Sequence, residues 1–202
     1  MNKLFLLLFL SILMIAGCSS SKSQVDTNET TPISEKETEK PTVTEEADAE
    51  IVSEEIEVRI PGRHVGDADP ESVVREYKSV GIEEVNYNEK EDSYSLIMTS
   101  NMQGIFLMAI SNNVKTLTSE AVEDGYYPTF KQMNFNDDFT MLEVIADEQI
   151  FNEETDGLVI AEIADKMTYY QVFNKVPDNK VQLDVTLKDE SSGKVFDKLT
   201  FN

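Results

Sequence analysis

From about Glu154 to Phe173 the chain is apolar on nearly every side of a would-be helix. Leu158, Val159, Ile160, Ala161, Ile163, Ala164, Met167, Tyr170 and Phe173 leave only a narrow polar arc. A surface helix carries one apolar stripe, whereas a helix apolar almost all round must be covered by other elements. Any fold of this chain therefore has to wrap this segment, which should be its most buried helix. Two further helices are expected. One runs from about Ser100, with Met102, Ile105, Phe106, Ala109, Ile110, Val114, Leu117 and Ala121 at three- and four-residue spacing, and stops at Gly125. The other is short, with Asp69 as N-cap, Pro70 at the first helical position and Glu71 in the first turn, and Gly81 stopping it after Val80.

The remaining apolar residues alternate with polar ones, the period of half-buried strands. Ile56, Val58 and Ile60 form one strand that Pro61-Gly62 ends. Val85 and Tyr87 pair back through the turn Asn88–Asp92 on Tyr94, Leu96 and Met98. Phe130–Phe135 and Phe139–Ala146 make a second hairpin around Asn136-Asp137-Asp138. After the turn Pro177-Asp178-Asn179, Val181, Leu183, Val185 and Leu187 make a strand, and Ser191-Ser192-Gly193 returns the chain as Lys194–Phe201. The order β, α, ββ, α, ββ, α, ββ predicts an α+β fold: an antiparallel sheet built from hairpins with about three helices packed on it. Val85–Asn88 and Met133–Asn136 each lead through a hairpin into a helix, the pattern of an internal ββα repeat.

The N-terminus carries an address. Lys3 precedes an apolar run from Leu4 to Ala16, about thirteen residues, too short for a helix to span a hydrocarbon core of ~30 Å. The run ends in Ile15-Ala16-Gly17-Cys18, which resembles the bacterial lipobox. That resemblance implies a signal peptide over 1–17, a diacylglycerol on the Cys18 thiol and cleavage that makes Cys18 the first mature residue. Two or three acyl chains give a stable membrane anchor where one does not. Cys18 is the chain's only cysteine, so no internal disulfide is available to it, and lipidation accounts for an otherwise odd thiol. Residues 18–53 then read as the lipidated Cys and a disordered acidic tether, rich in Thr, Ser and Glu with no aromatic residue. As a coil they span roughly 30–35 Å. Residues 54–202 are left as a single α+β domain.

Charge excludes one class of partner. The chain has 17 basic and 39 acidic residues, a formal charge of −22. Such a surface repels nucleic acid and anionic headgroups, so membrane contact falls to the lipid on Cys18. Catalytic constellations are not recognisable. The single histidine, His64, rules out a multi-histidine metal site within one chain and reads as an exposed loop residue. No glycine-rich phosphate loop occurs. Two acidic clusters, Asp67, Asp69 and Glu71, and Asn134, Asn136, Asp137 and Asp138, carry oxygen ligands that calcium could use, but neither has the twelve-residue loop pattern. A helix cap explains the first better than metal does, and a hairpin turn the second. Tyr126, Tyr127, Tyr169 and Tyr170 form either a recognition patch or core and rim. The sequence assigns no catalytic residue, cofactor or metal.

Tyr126-Tyr127-Pro128, Asn136–Thr140, Met167–Phe173, Pro177-Asp178-Asn179 and Gly193–Asp197 together resemble a family of exported lipoproteins from Gram-positive bacteria. The resemblance implies the same plan of lipobox, acidic tether and small α+β domain, with no established activity. Address and missing catalytic groups favour a lipid-anchored, non-enzymatic module on the extracytoplasmic face that binds a protein, peptide or wall component. A hydrophobic or aromatic cleft between the third helix and the sheet would support it. The alternative is a carboxylate-dependent hydrolase acting on cell-wall material, which needs two buried carboxyls facing each other, roughly 5–9 Å apart for a glycosidase.

Overall fold

A computed structural model describes residues 54–123 and 125–202. The signal segment 1–17, Cys18 and the tether 18–53 lie outside the described residues. Seven strands and three helices alternate: β1 (Glu55–Pro61), α1 (Pro70–Ser79), β2 (Glu84–Asn88), β3 (Ser93–Thr99), α2 (Ser100–Glu123), β4 (Phe130–Phe135), β5 (Met141–Ala146), α3 (Asp156–Phe173), β6 (Leu183–Asp189) and β7 (Val195–Phe201). The α+β class and the three helices stand as read from the sequence. The strands, however, divide between two sheets, in the orders β1-β3-β2 and β4-β5-β6-β7.

The first sheet is antiparallel throughout, with Val58 opposite Leu96 and Val85 opposite Leu96 from the other side. The second is mixed: β4–β5 and β6–β7 are antiparallel hairpins, but β5 and β6 run parallel, Leu142 beside Val185 and Val144 beside Leu187. Parallel neighbours need a long crossover, and here α3 supplies it. Hairpins account for only one neighbour of each central strand, so a reading built from hairpins alone leaves this pair out. The same pairing bears on the expected ββα repeat. A hairpin does enter a helix twice, but the strand added to β3 comes from before its hairpin and is antiparallel, whereas the one added to β5 comes after the helix and is parallel. The repeat does not extend beyond the hairpins.

α2 and α3 pack on each other and serve both sheets. Phe106 and Ile110 of α2, with Val172 and Phe173 of α3, close a core over β1–β3. Val114 and Ala121 of α2, with Ile160, Ile163 and Met167 of α3, close a second core over β4–β7. This explains most of the helix that is apolar all round: α2 and the two sheets cover it, but Leu158, near its start, stays exposed. Phe173, fully buried, stacks on Phe106 at 5.3 Å between ring centroids where the first core closes.

Local chemistry sets the ends. The Asp69 carboxylate accepts from Ser72 N at 3.0 Å and caps α1, with Pro70 at the start as expected. Gly81, at φ +96, adopts the left-handed backbone that follows the helix. Between β4 and β5, Asn136 Oδ1 accepts from Thr140 N at 2.9 Å and Met141 N at 3.0 Å, and Phe139 takes φ 52. Phe139 therefore belongs to the turn, not to the strand expected to start there, and its buried ring meets Tyr170 edge-on at 4.7 Å.

Buried Gln171 ties this turn to β6. Its Nε2 donates to Phe139 O at 2.7 Å and Gln182 O at 2.9 Å, and its Oε1 accepts from Gln182 N at 3.1 Å.

Candidate functional site

α3 ends without a glycine. Val176 N bonds to Gln171 O at 3.0 Å and Lys175 N to Val172 O at 3.0 Å, the paired bonds of a Schellman motif. That motif needs one residue in the left-handed region, usually glycine, and here Lys175 fills it at φ 60. A side chain in that conformation costs of order 1–3 kcal/mol. Pro177 follows and cannot continue the helix. The chain then turns through Asp178–Lys180.

On the opposite side, Gly62 N donates to Asp92 O at 2.6 Å, and a Cβ on Gly62 would lie 2.3 Å from the Asp92 carboxylate. A side chain at Gly62, in the 3₁₀ turn Gly62–His64, would force the Asp92 carboxylate to turn aside. The contact directs Arg63 toward Asp178, whose Oδ2 accepts from Nη1 at 2.9 Å.

Between these two features lies a cavity of about 420 Å³. Glu57, Arg59 and Pro61 of β1 line one side, Glu91 and Ser93 a second, and Val172, Lys175, Val176, Pro177 and Asp178 the third. Arg59 pairs with Glu91 and bonds to Ser93 Oγ through Nε at 3.3 Å; Asn88 Nδ2 also reaches Glu91, at 2.9 Å. Glu57 accepts from Ser95 Oγ at 2.6 Å. Hydrogen bonds from Arg63 hold the Asp178 carboxyl below its usual range against a smaller opposing effect of burial, and the charges of Arg63, His64 and Arg59 add to the lowering. Among the described residues, Lys175 is the one lining cation with no ion pair.

Behind the Arg63–Asp178 pair sits His64. It is half-buried, not the exposed loop histidine expected, because the 3₁₀ turn folds it toward Tyr169, at 6.4 Å between ring centroids. Its Nε2 is buried without a hydrogen-bond partner. Burial, aided by the Arg63 charge and opposed by Asp178, lowers its pKa to about 4. The Tyr169 hydroxyl meets that of Tyr77 at 2.5 Å, and burial raises both phenols.

The residues singled out by sequence fall elsewhere. Asp69 is occupied as a helix cap and Asn136 as a turn organiser. Asn134 bridges Gln132 and Glu143, at 2.9 and 3.5 Å. Among the described residues no three His, Cys, Asp or Glu side chains converge as a metal site. Tyr127 meets Tyr126 and Phe130, Tyr169 meets Phe173, and Tyr170 meets Phe139, so three of the four tyrosines pack at the cores and only Tyr126 is strongly exposed. Among the described residues two carboxylates are buried, Asp156 and Asp189. The first accepts from Asn152 N at 2.9 Å, the second from Ser191 Oγ and Ser192 Oγ at 2.6 and 2.7 Å. Asp156 is spent inside its own turn, and Asp189 also accepts from Glu148 N at 3.4 Å in the loop after β5.

Sequence reasoning passed over Arg59, Arg63, Lys175 and Asp178. One signal for them was present: an apolar helix that runs into Asn174-Lys175-Val176-Pro177 must end there, yet offers no glycine. A cleft does lie between α3 and a sheet, but it is not the hydrophobic or aromatic one expected: no aromatic lines it, and half of its lining residues are charged. The chain matches no protein-family model, no curated protein and no solved structure.

Proposed function

We propose that this chain is a lipid-anchored lipoprotein of the extracytoplasmic face of the cell membrane, attached through Cys18, whose 54–202 portion is a non-enzymatic binding module for a peptide, protein or wall ligand. The cavity at the end of α3 is the observation that carries the binding reading. Its carboxylates, Glu57, Glu91 and Asp178, are each partnered by a hydroxyl or a guanidinium. Arg63 holds Asp178 in its ionised form, which suits recognition of charge. The hydrolase alternative needs two buried carboxyls facing one another, and Asp156 and Asp189 are tied into separate turns. Among the described residues no helix is long and apolar enough to cross a membrane, so the anchor in this reading is the lipid alone.

Mass spectrometry of the mature N-terminus tests the address. A diacylglycerol on Cys18, with the Cys18→Ala protein released to the medium, is the expected result. An unmodified Cys18 on a freely secreted protein overturns it.

A further inference from the structure

We infer that the cavity at the end of α3 binds the free carboxylate of a short extended peptide, with the Lys175 ammonium as counter-ion. This rests on the reading of the chain as a binding module. Three observations meet at this place. Lys175 is held at φ 60, a conformation that costs a lysine more than it would cost glycine. The strained backbone presents a side chain that lines the cavity and forms no ion pair among the described residues. A glycine there would avoid the strain; a lysine gains only the modest attraction of a cation to the last carbonyls of the helix.

The neighbouring cations are arranged to assist. Arg59 and Arg63, two of the three arginines in a chain of formal charge −22, converge here. Their pairs with Glu91 and Asp178 are solvent-exposed. Exposed pairs contribute about 0–1 kcal/mol, so a guanidinium can turn to a ligand oxygen at little cost. An incoming carboxylate therefore meets one unpaired ammonium and the exchangeable guanidinium of Arg59, with Arg63 outside the lining and held on Asp178 by two bonds.

The shape selects a peptide over a lone anion. β1 is the outermost strand of its sheet, and the cavity opens along Glu57, Arg59 and Pro61. An edge strand offers backbone donors and acceptors to an extended chain. Val172, Val176 and Pro177 form an apolar wall for a small side chain. A volume of about 420 Å³ lies at the low end for ligand sites and suits a few small residues.

The test is an amide-shift titration of the full ¹⁵N-labelled chain in detergent with three probes: N-acetyl-trialanine as free acid, the same peptide amidated, and acetate. The expected result is that the acid shifts resonances of residues 57–61 and 172–178, with the amide at least about tenfold weaker because it lacks the charge, and acetate at least about tenfold weaker because it lacks the peptide's backbone and side-chain contacts. Lys175→Gly should abolish the preference for the acid while melting no lower than wild type, because the glycine relieves the strained backbone. Lys175→Arg should retain the preference. Equal binding of acid and amide overturns the carboxylate contact and leaves the binding reading standing. Acetate binding as tightly as the acid overturns the peptide and leaves a plain anion site. No shift with any probe overturns the inference and withdraws the cavity as the site of the binding module. Lys175→Gly binding like wild type removes Lys175 from the contact.

Discussion

His64 offers the most direct test of the site's electrostatics, because it is the chain's only histidine. Its pKa falls from 6.5 to about 4 on folding, through burial first and the Arg63 charge second. A histidine whose folded pKa is depressed is neutral in both states above pH 6.5. As pH falls, the unfolded chain takes up a proton that the folded one refuses, and stability is lost through the window from 6.5 to about 4. At pH 5 the full shift corresponds to about 2 kcal/mol. The ring is only half-buried, so solvent screening reduces this to about 1 kcal/mol. For a chain of this size that is a melting shift of about 2–4 °C.

Raised carboxyls at Glu76 and Asp165 act in the opposite sense, favouring the folded state as pH falls. They are common to wild type and variant, so the comparison must be made against His64→Phe, which keeps a ring beside Tyr169 and removes the proton site. Melting followed by circular dichroism at pH 7 and pH 5 should show wild type losing about 2–4 °C more than the variant. The lone imidazole C2 proton resonance should titrate well below 6. Parallel melting curves, or an imidazole that titrates above 6, would falsify the burial argument.

Gln171→Leu should destabilise by about 2–4 kcal/mol, because it leaves Phe139 O orphaned in the core and strips two further bonds from Gln182; urea unfolding reads this directly. Asp69→Ala removes the cap on α1 and should cost about 1 kcal/mol, with Asp69→Asn recovering most of it in the same assay.

Much of the fold was legible because its signals are local. The Asp69-Pro70 start of α1 and the alternation of β1, β3 and β6 each depend on neighbouring residues only. The split into two sheets and the parallel β5–β6 pair were not legible, because no hairpin encodes them. They follow from α3 crossing between strands that also belong to hairpins. The site was hidden for a related reason. Arg63 and Asp178 are 115 positions apart, and the turn pattern that holds Asp178 says nothing of its partner. Only the missing glycine at the end of α3 pointed toward them. The cysteine signal works in reverse: Cys18 is read from its four-residue context and lies outside the described residues, so the strongest sequence assignment is the one that chemistry, not geometry, must test.

The placement of the cavity follows from what α3 must do. Its middle is enclosed by α2 and the second sheet, and its last turn by the first sheet, so the helix cannot shift along its axis without opening both cores. Phe173, at that last turn, is fully buried and its carbonyl accepts from Gln103 Nε2 at 2.6 Å, which joins the helix end to α2. The residues that follow, Lys175 to Asp178, are therefore launched from the most constrained point in the molecule. A binding group is best held by a rigid support that costs little when it is empty. Here the cores supply the support, and the strained Lys175 backbone takes only a small part of the stability they provide. On this argument a core change such as Met167→Ala lowers stability and leaves ligand preference intact in whatever fraction remains folded, whereas Lys175→Gly does the reverse.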